Sequence, residues 1–375
     1  MGAMKKGTRI HRPSRRPMRG LSRQFIAALL IVSAALITSA AIVQAAPEAG
    51  TARPSGYVPR SLDECRGDNE TNDFRCYATY YAAKTYYEDK EAVFADLKQS
   101  YESDAYVKAE CHQLTHIIGR TGYKRYGGLD KSYEHGDAIC WSGYYHGAIE
   151  QAITDIGPER ITADAPTVCK SFADKRMYSF DHFNCVHGLG HGLMAVGAYN
   201  LPDSLKLCDV MTSSWERESC YGGVFMENVM VATRGNGTTA YFKDSEPLYP
   251  CTFVERPYKE QCYLMQTSQV LQKNGYDFAK TFQECGKADE GFVDTCYRSL
   301  GRDASGSTVS DIKRTVEICR LAPNRDGLHN CMLGAVRDFV SYYHSDQQAL
   351  QLCASFGGET EAPCQQDVKL YYKAF

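Results

Sequence analysis

Short apolar stretches with helical spacing recur through the second half of the chain, each ending or beginning at a cysteine. Val316-Glu317-Ile318-Cys319 closes one such stretch. Cys331-Met332-Leu333-Gly334-Ala335-Val336-Arg337-Asp338-Phe339-Val340 opens another, with apolar positions three and four apart. Between them lie Pro323, Asn324, Arg325, Asp326 and Gly327, and the preceding copy carries Gly286, Asp289 and Gly291 there. These residue types favour turns. The pattern predicts a helix up to the first cysteine, a reversal, and a second helix from the next cysteine.

The unit repeats. Cys251, Cys285, Cys319 and Cys353 are each 34 residues apart, and their followers Cys262, Cys296, Cys331 and Cys364 keep intervals of 34, 35 and 33. Cys65 with Cys76 and Cys208 with Cys220 repeat the short enclosure. Sequential pairing is favoured because the local pairs recur with the unit, although spacing alone does not establish connectivity. The expected fold class is all-α: disulfide-stapled helical-hairpin repeats with a period of about 34 residues. In period and geometry it resembles tetratricopeptide-like helical repeats, which implies a solenoid shape. The Trp, Leu, Gly and Ala signature of those repeats is missing.

Earlier units are irregular. Cys111 and Cys140 enclose 28 residues, with Gly122, Gly127, Gly128, Asp130 and Gly136 between them, and Cys169 and Cys185 enclose fifteen. The division expected is an irregular part over 61–250 and a regular part over 251–375. Insertions grouped on one part of a repeat array often build its working face.

The histidines gather in the irregular part. Cys185-Val186-His187-Gly188-Leu189-Gly190-His191-Gly192 sets two imidazoles four apart, on one face of a helix. His112 and His116 repeat that spacing. Counting from Cys140 and Cys185, His146 and His191 fall at the same place in neighbouring units. Later units carry Gln269, Arg302 and Arg337 in the comparable stretch. A Cys111–Cys140 bond would bring His112, His116, His146, His187 and His191 together as metal ligands. Glu150 and Glu227 would act as further ligands, general bases or partners that hold an imidazole tautomer. Mixed imidazole and carboxylate donors suit zinc, iron, manganese or copper.

Gly143, Gly147, Gly188, Gly190, Gly192, Gly222 and Gly223 thin these helices. Each costs about 1 kcal/mol against Ala inside a helix. Close helix approach is one reading, and a shared cavity beside the ion is the one favoured here. Met194 and Met226 read as packing, with Met gaining weight for copper. Tyr144, Tyr145 and Tyr221 read as packing, with a proton donor as the minor alternative. No His-Glu-x-x-His, no Cys-x-x-Cys-His and no Glu-x-x-His pair on these helices is present, so the usual metallopeptidase and covalent-haem signatures are missing.

Composition narrows the setting. Sixteen cysteines in an even count suit an oxidising compartment. Residues 1–24 carry eight Lys or Arg and no acid, and residues 25–45 are apolar and uncharged. A cleaved signal and a retained transmembrane anchor both fit this pattern, and either places the body outside the cytoplasm, secreted, periplasmic or tethered. Residues 46–60 read as a linker. Asn69 and Asn236 begin glycosylation sequons. Without residues 1–24 the chain has 34 basic and 45 acidic residues, a balance of -11, which argues against a nucleic-acid partner.

Two functions follow as expectations. One is an extracytoplasmic metalloenzyme, hydrolytic or redox, acting on a small molecule. The other is a non-catalytic scaffold that binds a protein or peptide on the repeat face, with structural histidines.

Overall fold

The computed structural model describes residues 58–66, 74–233, 239–308 and 311–374, which lie in one compact unit, Ala49–Phe375. The basic segment, the apolar run, most of the linker and both sequons lie outside the described residues.

Every described element is helical, and the chain is all-α. After a short 3-10 turn at Leu62–Cys65 come α1 (Phe74–Tyr87), α2 (Lys90–Ser103), α3 (Ala105–Tyr126), α4 (Leu129–Tyr133) and α5 (Ile139–Ile156). Next come α6 (Pro158–Val168), α7 (Lys170–Lys175), α8 (Phe180–Val196), α9 (Leu201–Cys208) and α10 (Ser214–Thr233). The remainder is α11 (Arg256–Lys273), α12 (Phe278–Cys285), α13 (Val293–Ser307), α14 (Ile312–Cys319), α15 (Arg325–Tyr343), α16 (Gln347–Phe356) and α17 (Glu361–Ala374). None of the described helices is long and apolar enough to cross a membrane.

The repeated hairpin has a physical recipe. The short helices α9, α12 and α14 each run eight residues from a capping side chain to a cysteine. Asn200, Asp277 and Asp311 accept from the backbone N–H three residues on, which satisfies an orphan donor of the first turn. Ser204, Thr281 and Thr315 then donate back to the carbonyls of those capping residues. In α12, Phe278, Thr281, Phe282 and Cys285 form the buried stripe, the spacing of one helix face. In the unit of α14 and α15 the reversal is short, since Asn324 already caps α15 by accepting from Gly327 N–H at 2.7 Å.

All sixteen cysteines pair, each with its successor in the chain. Their Cα–Cα separations of 5.4–5.7 Å sit in the usual disulfide range.

The long helices pack in chain order: α3 on α5, α5 on α8, α8 on α10, α10 on α11, α11 on α13, α13 on α15, and α15 on α17. This row returns on itself. Trp141, at the start of α5, lies against Gly306 of α13, where a Cβ would overlap its indole. Phe180 meets His344 edge-on, with ring centroids 4.4 Å apart. Late units therefore close over early ones.

The glycines show how tightly the early helices approach. A Cβ on Gly147 would overlap the carbonyl of His116, and one on Gly223 the carbonyl of His187. Gly190 faces the carbonyl of Cys220, and Gly188 and Gly192 receive Ile149 and Ile153. Close helix approach, rather than a shared cavity, accounts for these positions. Backbone carbonyls at Gly147, Gly190 and Gly223, and the Ile149 and Ile153 side chains at Gly188 and Gly192, fill the room that the missing side chains leave.

Candidate metal centre

The row of helices sets α3, α5, α8 and α10 side by side, and each turns polar side chains to one buried place. His112 and His116 come from α3, His146 and Glu150 from α5, His187 and His191 from α8, and Met226 and Glu227 from α10. The five imidazoles are no more than 3% exposed. Ring centroids lie 4.6 Å apart for His112 and His116, 5.4 Å for His112 and His146, 4.6 Å for His146 and His191, and 5.2 Å for His187 and His191. All five sequence-predicted histidines thus meet.

Hydrogen bonds set the tautomers of three of the rings. His112 Nδ1 lies 2.7 Å from the carbonyl oxygen of Cys140. A carbonyl only accepts, so Nδ1 carries the proton. His116 Nδ1 sits 3.0 Å from Glu150 Oε1, and His191 Nδ1 sits 3.0 Å from Glu227 Oε2. Each donates to its carboxylate, leaving Nε2 with a lone pair when the ring is neutral.

Electrostatics favour that neutral form. Burial lowers the pKa of His112, His146 and His187 well below the ordinary value, and the neighbouring imidazoles add to the effect. Burial also lowers His116, against the opposing pull of Glu150. Burial by itself would raise Glu150, but the adjacent His116 and Arg120 outweigh it and hold the carboxyl well below the usual range. Arg120 binds Glu150 Oε2 through Nε at 3.0 Å and Nη2 at 2.5 Å. Both oxygens of Glu150 are therefore engaged.

The consequence lies at His112 and His116. Their Nε2 atoms are 3.0 Å apart, and each carries a lone pair facing the other. Two nitrogens about 2.0–2.1 Å from one ion lie about 2.9 Å apart at a right angle and about 3.4 Å apart at the tetrahedral angle. The observed spacing falls in that interval. His191 Nε2 and His146 Nδ1 are buried without hydrogen-bond partners. Three sets bring one donor per residue within 4.8 Å of each other: His112, His116 and His146; His146, His187 and His191; and Glu150, His191 and Glu227. This clustered His/Glu set can hold a divalent metal ion.

The backbone beside the cluster is unusual. Cys140, Trp141 and Ser142 all have φ between 54° and 60°. Non-glycine residues in the left-handed region cost roughly 1–2 kcal/mol each. The turn directs the Cys140 carbonyl at His112, and the Cys111–Cys140 disulfide ties it to α3. Trp141 also lies edge-on to His112, so it does more than pack on its own hairpin.

The tyrosines beside the site point elsewhere. Tyr144 donates to the Ser132 carbonyl, Tyr145 packs on Phe180, and Tyr221 donates to Asp209. Met194 is fully buried, whereas Met226 brings its sulfur 3.4 Å from His187 Nε2. Arg120 was not among the sequence-predicted site residues. Its place four residues after His116, on the same helix face, is the signal that could have found it. His182 lies outside the cluster, tilted against Trp215 with ring centroids 5.1 Å apart and with Glu216 at 3.4 Å.

Compared with known protein families, curated proteins and solved structures, the chain matches none.

Proposed function

We propose that this is an extracytoplasmic metalloprotein whose buried histidines hold a transition metal ion for chemistry on a small molecule. The observation that carries the reading is the His112–His116 pair. Two buried imidazoles, each with its Nδ1 proton committed elsewhere, face each other with lone pairs at 3.0 Å. Without a cation between them the lone pairs repel. A metal ion turns that repulsion into two bonds.

The ligands in this reading are drawn from His112, His116, His146, His187 and His191. Glu150 and Glu227 are positioning residues. Each fixes the tautomer and direction of an imidazole and raises its basicity. Imidazole-rich sets suit zinc, copper or iron. Zinc would serve hydrolysis by activating water, whereas copper or iron would serve dioxygen or electron chemistry. Eight disulfides support export to an oxidising compartment. The closure of late units over early ones supports a metal-centred role over an open peptide-binding face.

The test is elemental analysis of the full chain, exported through an oxidising compartment, beside the double variant His146→Ala, His191→Ala. One or two tightly held ions, lost in the variant with the helical spectrum retained, would support the metal centre. The element found selects the next assay. Absence of any ion after reconstitution with zinc, iron and copper would overturn the reading.

A further inference from the structure

The donors divide into two groups. On one side His112 Nε2 and His116 Nε2 stand 3.0 Å apart. On the other, His187 Nε2 and Met226 Sδ stand 3.4 Å apart. A nitrogen and a sulfur held about 2.0 and 2.3 Å from one ion are separated by about 3.0–3.5 Å, depending on the angle. Each pair therefore has the bite of two ligands on a single ion.

The third donors follow the same division. His146 belongs to both three-histidine sets, one with His112 and His116 and the other with His187 and His191. Its ring lies between the groups, 5.4 Å from His112 and 5.0 Å from His187 by centroid. His191 stacks on it at 4.6 Å and has its Nε2 buried without a partner. Five imidazoles and a thioether exceed the three or four protein ligands that a zinc site uses.

We propose that the cluster holds two ions: one on His112 and His116, and a second, soft ion of the copper type on His187, His191 and Met226, with His146 between them. The inference rests on the metal-centre reading above and adds the number of ions and the chemistry of the second position. Thioether sulfur is a poor ligand for hard cations and a good one for copper(I). Met226 is partly buried on a helix whose Met226-Glu227 step serves two rings four residues apart, sulfur to His187 and carboxylate to His191. Gly222, one turn earlier, leaves His187 room, since a Cβ there would stand 3.2 Å from its Nδ1.

Native mass spectrometry of the full chain, exported with its disulfides formed and titrated with copper(I), counts the ions. X-ray absorption at the copper edge reads the ligands. The expected result is two copper ions per chain and a copper–sulfur path near 2.3 Å. Met226→Leu, which nearly conserves volume, should lose the sulfur path and weaken one of the two ions at least tenfold. His112→Gln should lose the other ion and keep the sulfur path. A wild-type protein with a single copper ion, or with no sulfur scatterer, would overturn this inference and leave the metal centre standing. A wild-type protein that binds no metal of any kind would overturn both. The wild-type readouts do not depend on how any variant folds.

Discussion

His116 Nδ1 donates to Glu150 Oε1 at 3.0 Å, while Arg120, one helical turn along from His116, grips the other oxygen of the same carboxylate. The chain so formed runs from a partly exposed guanidinium through a carboxylate to a buried ring. It holds the ring's orientation and leaves its Nε2 directed inward.

That relay makes Glu150 a determinant of metal affinity. Glu150→Gln keeps the shape, removes the charge and unpairs Arg120. Metal affinity should fall by roughly 10–100-fold, the usual effect of losing such a partner to a metal-bound histidine. Competition against a chromophoric chelator measures it. An unchanged affinity would leave Glu150 with a structural role only.

Metal-free protein should lose stability as the pH falls. His112, His116, His146 and His187 have folded-state pKa values lowered by burial. The unfolded chain takes up protons near 6.5, while the folded protein does not until lower pH. Their stabilisation is therefore complete above about pH 6.5 and declines below it, by up to about 1.4 kcal/mol per pH unit for each histidine. Thermal melts between pH 7.5 and 5.5 should show the fall, and His146→Ala should flatten it.

Asp338 carries the opposite sign. Burial raises its pKa to about 6, against the opposing pull of Ser305 and Arg302. It lines a small cavity with Tyr101, Trp141, Ser142, Gly306 and Tyr342, where the late units meet the early ones. For an acid with a raised folded-state pKa, the relative stability is complete below its unfolded value and lost as pH rises through about 6. Asp338→Asn should raise the melting temperature at pH 7.5, with the gain shrinking towards pH 4. A gain that is equal at both pH values would exclude the buried charge as its cause.

Two disulfides should differ in what their loss does. In a chain-entropy account, closing the longer loop of Cys111–Cys140 contributes roughly 3–4 kcal/mol, and closing the shorter Cys353–Cys364 loop roughly 3 kcal/mol. Only the first also holds the Cys140 carbonyl against His112. Replacing both cysteines of either pair by Ser should lower the melting temperature. Metal affinity should drop only for the Cys111 and Cys140 pair.

Gly147 tests the helix packing beside the histidines. Gly147→Ala would drive a methyl into the His116 carbonyl and should destabilise by about 1–3 kcal/mol, as overpacking does. Gly286→Ala, at the end of α12 with φ -62°, brings its methyl only to 3.3 Å from the Gln283 carbonyl and should cost less than Gly147→Ala. Denaturant melts compare them.

Much of this architecture is legible in the sequence because its cause is local. The 34-residue rhythm of Cys285, Cys319 and Cys353 marks hairpins whose caps, turns and disulfides all lie within one unit. Capping residues such as Asp277 and Asp311 act over three or four positions, and the matched register of His146 and His191 follows from counting along one repeat. The convergence of the five histidines was inferable once Cys111 was paired with Cys140.

Other features depend on contacts between units, and no periodicity encodes those. Whether Gly147 and Gly223 line a cavity or receive a neighbouring helix depends on how near two axes come. Whether Met226 packs in the core or faces His187 depends on the rotation of α10 about its axis. The left-handed turn at Cys140, the seat of Trp141 on Gly306 and the tautomers of His112, His116 and His191 are set by surroundings distant in sequence. From the sequence alone, then, come the helical class, the disulfide-stapled unit and the residues able to bind metal, because each is fixed within a few turns of chain. Only the tertiary structure decides which nitrogen of His112, His116 and His191 is free and which carbonyl or carboxylate holds the other, because those are distances of about 3 Å between helices.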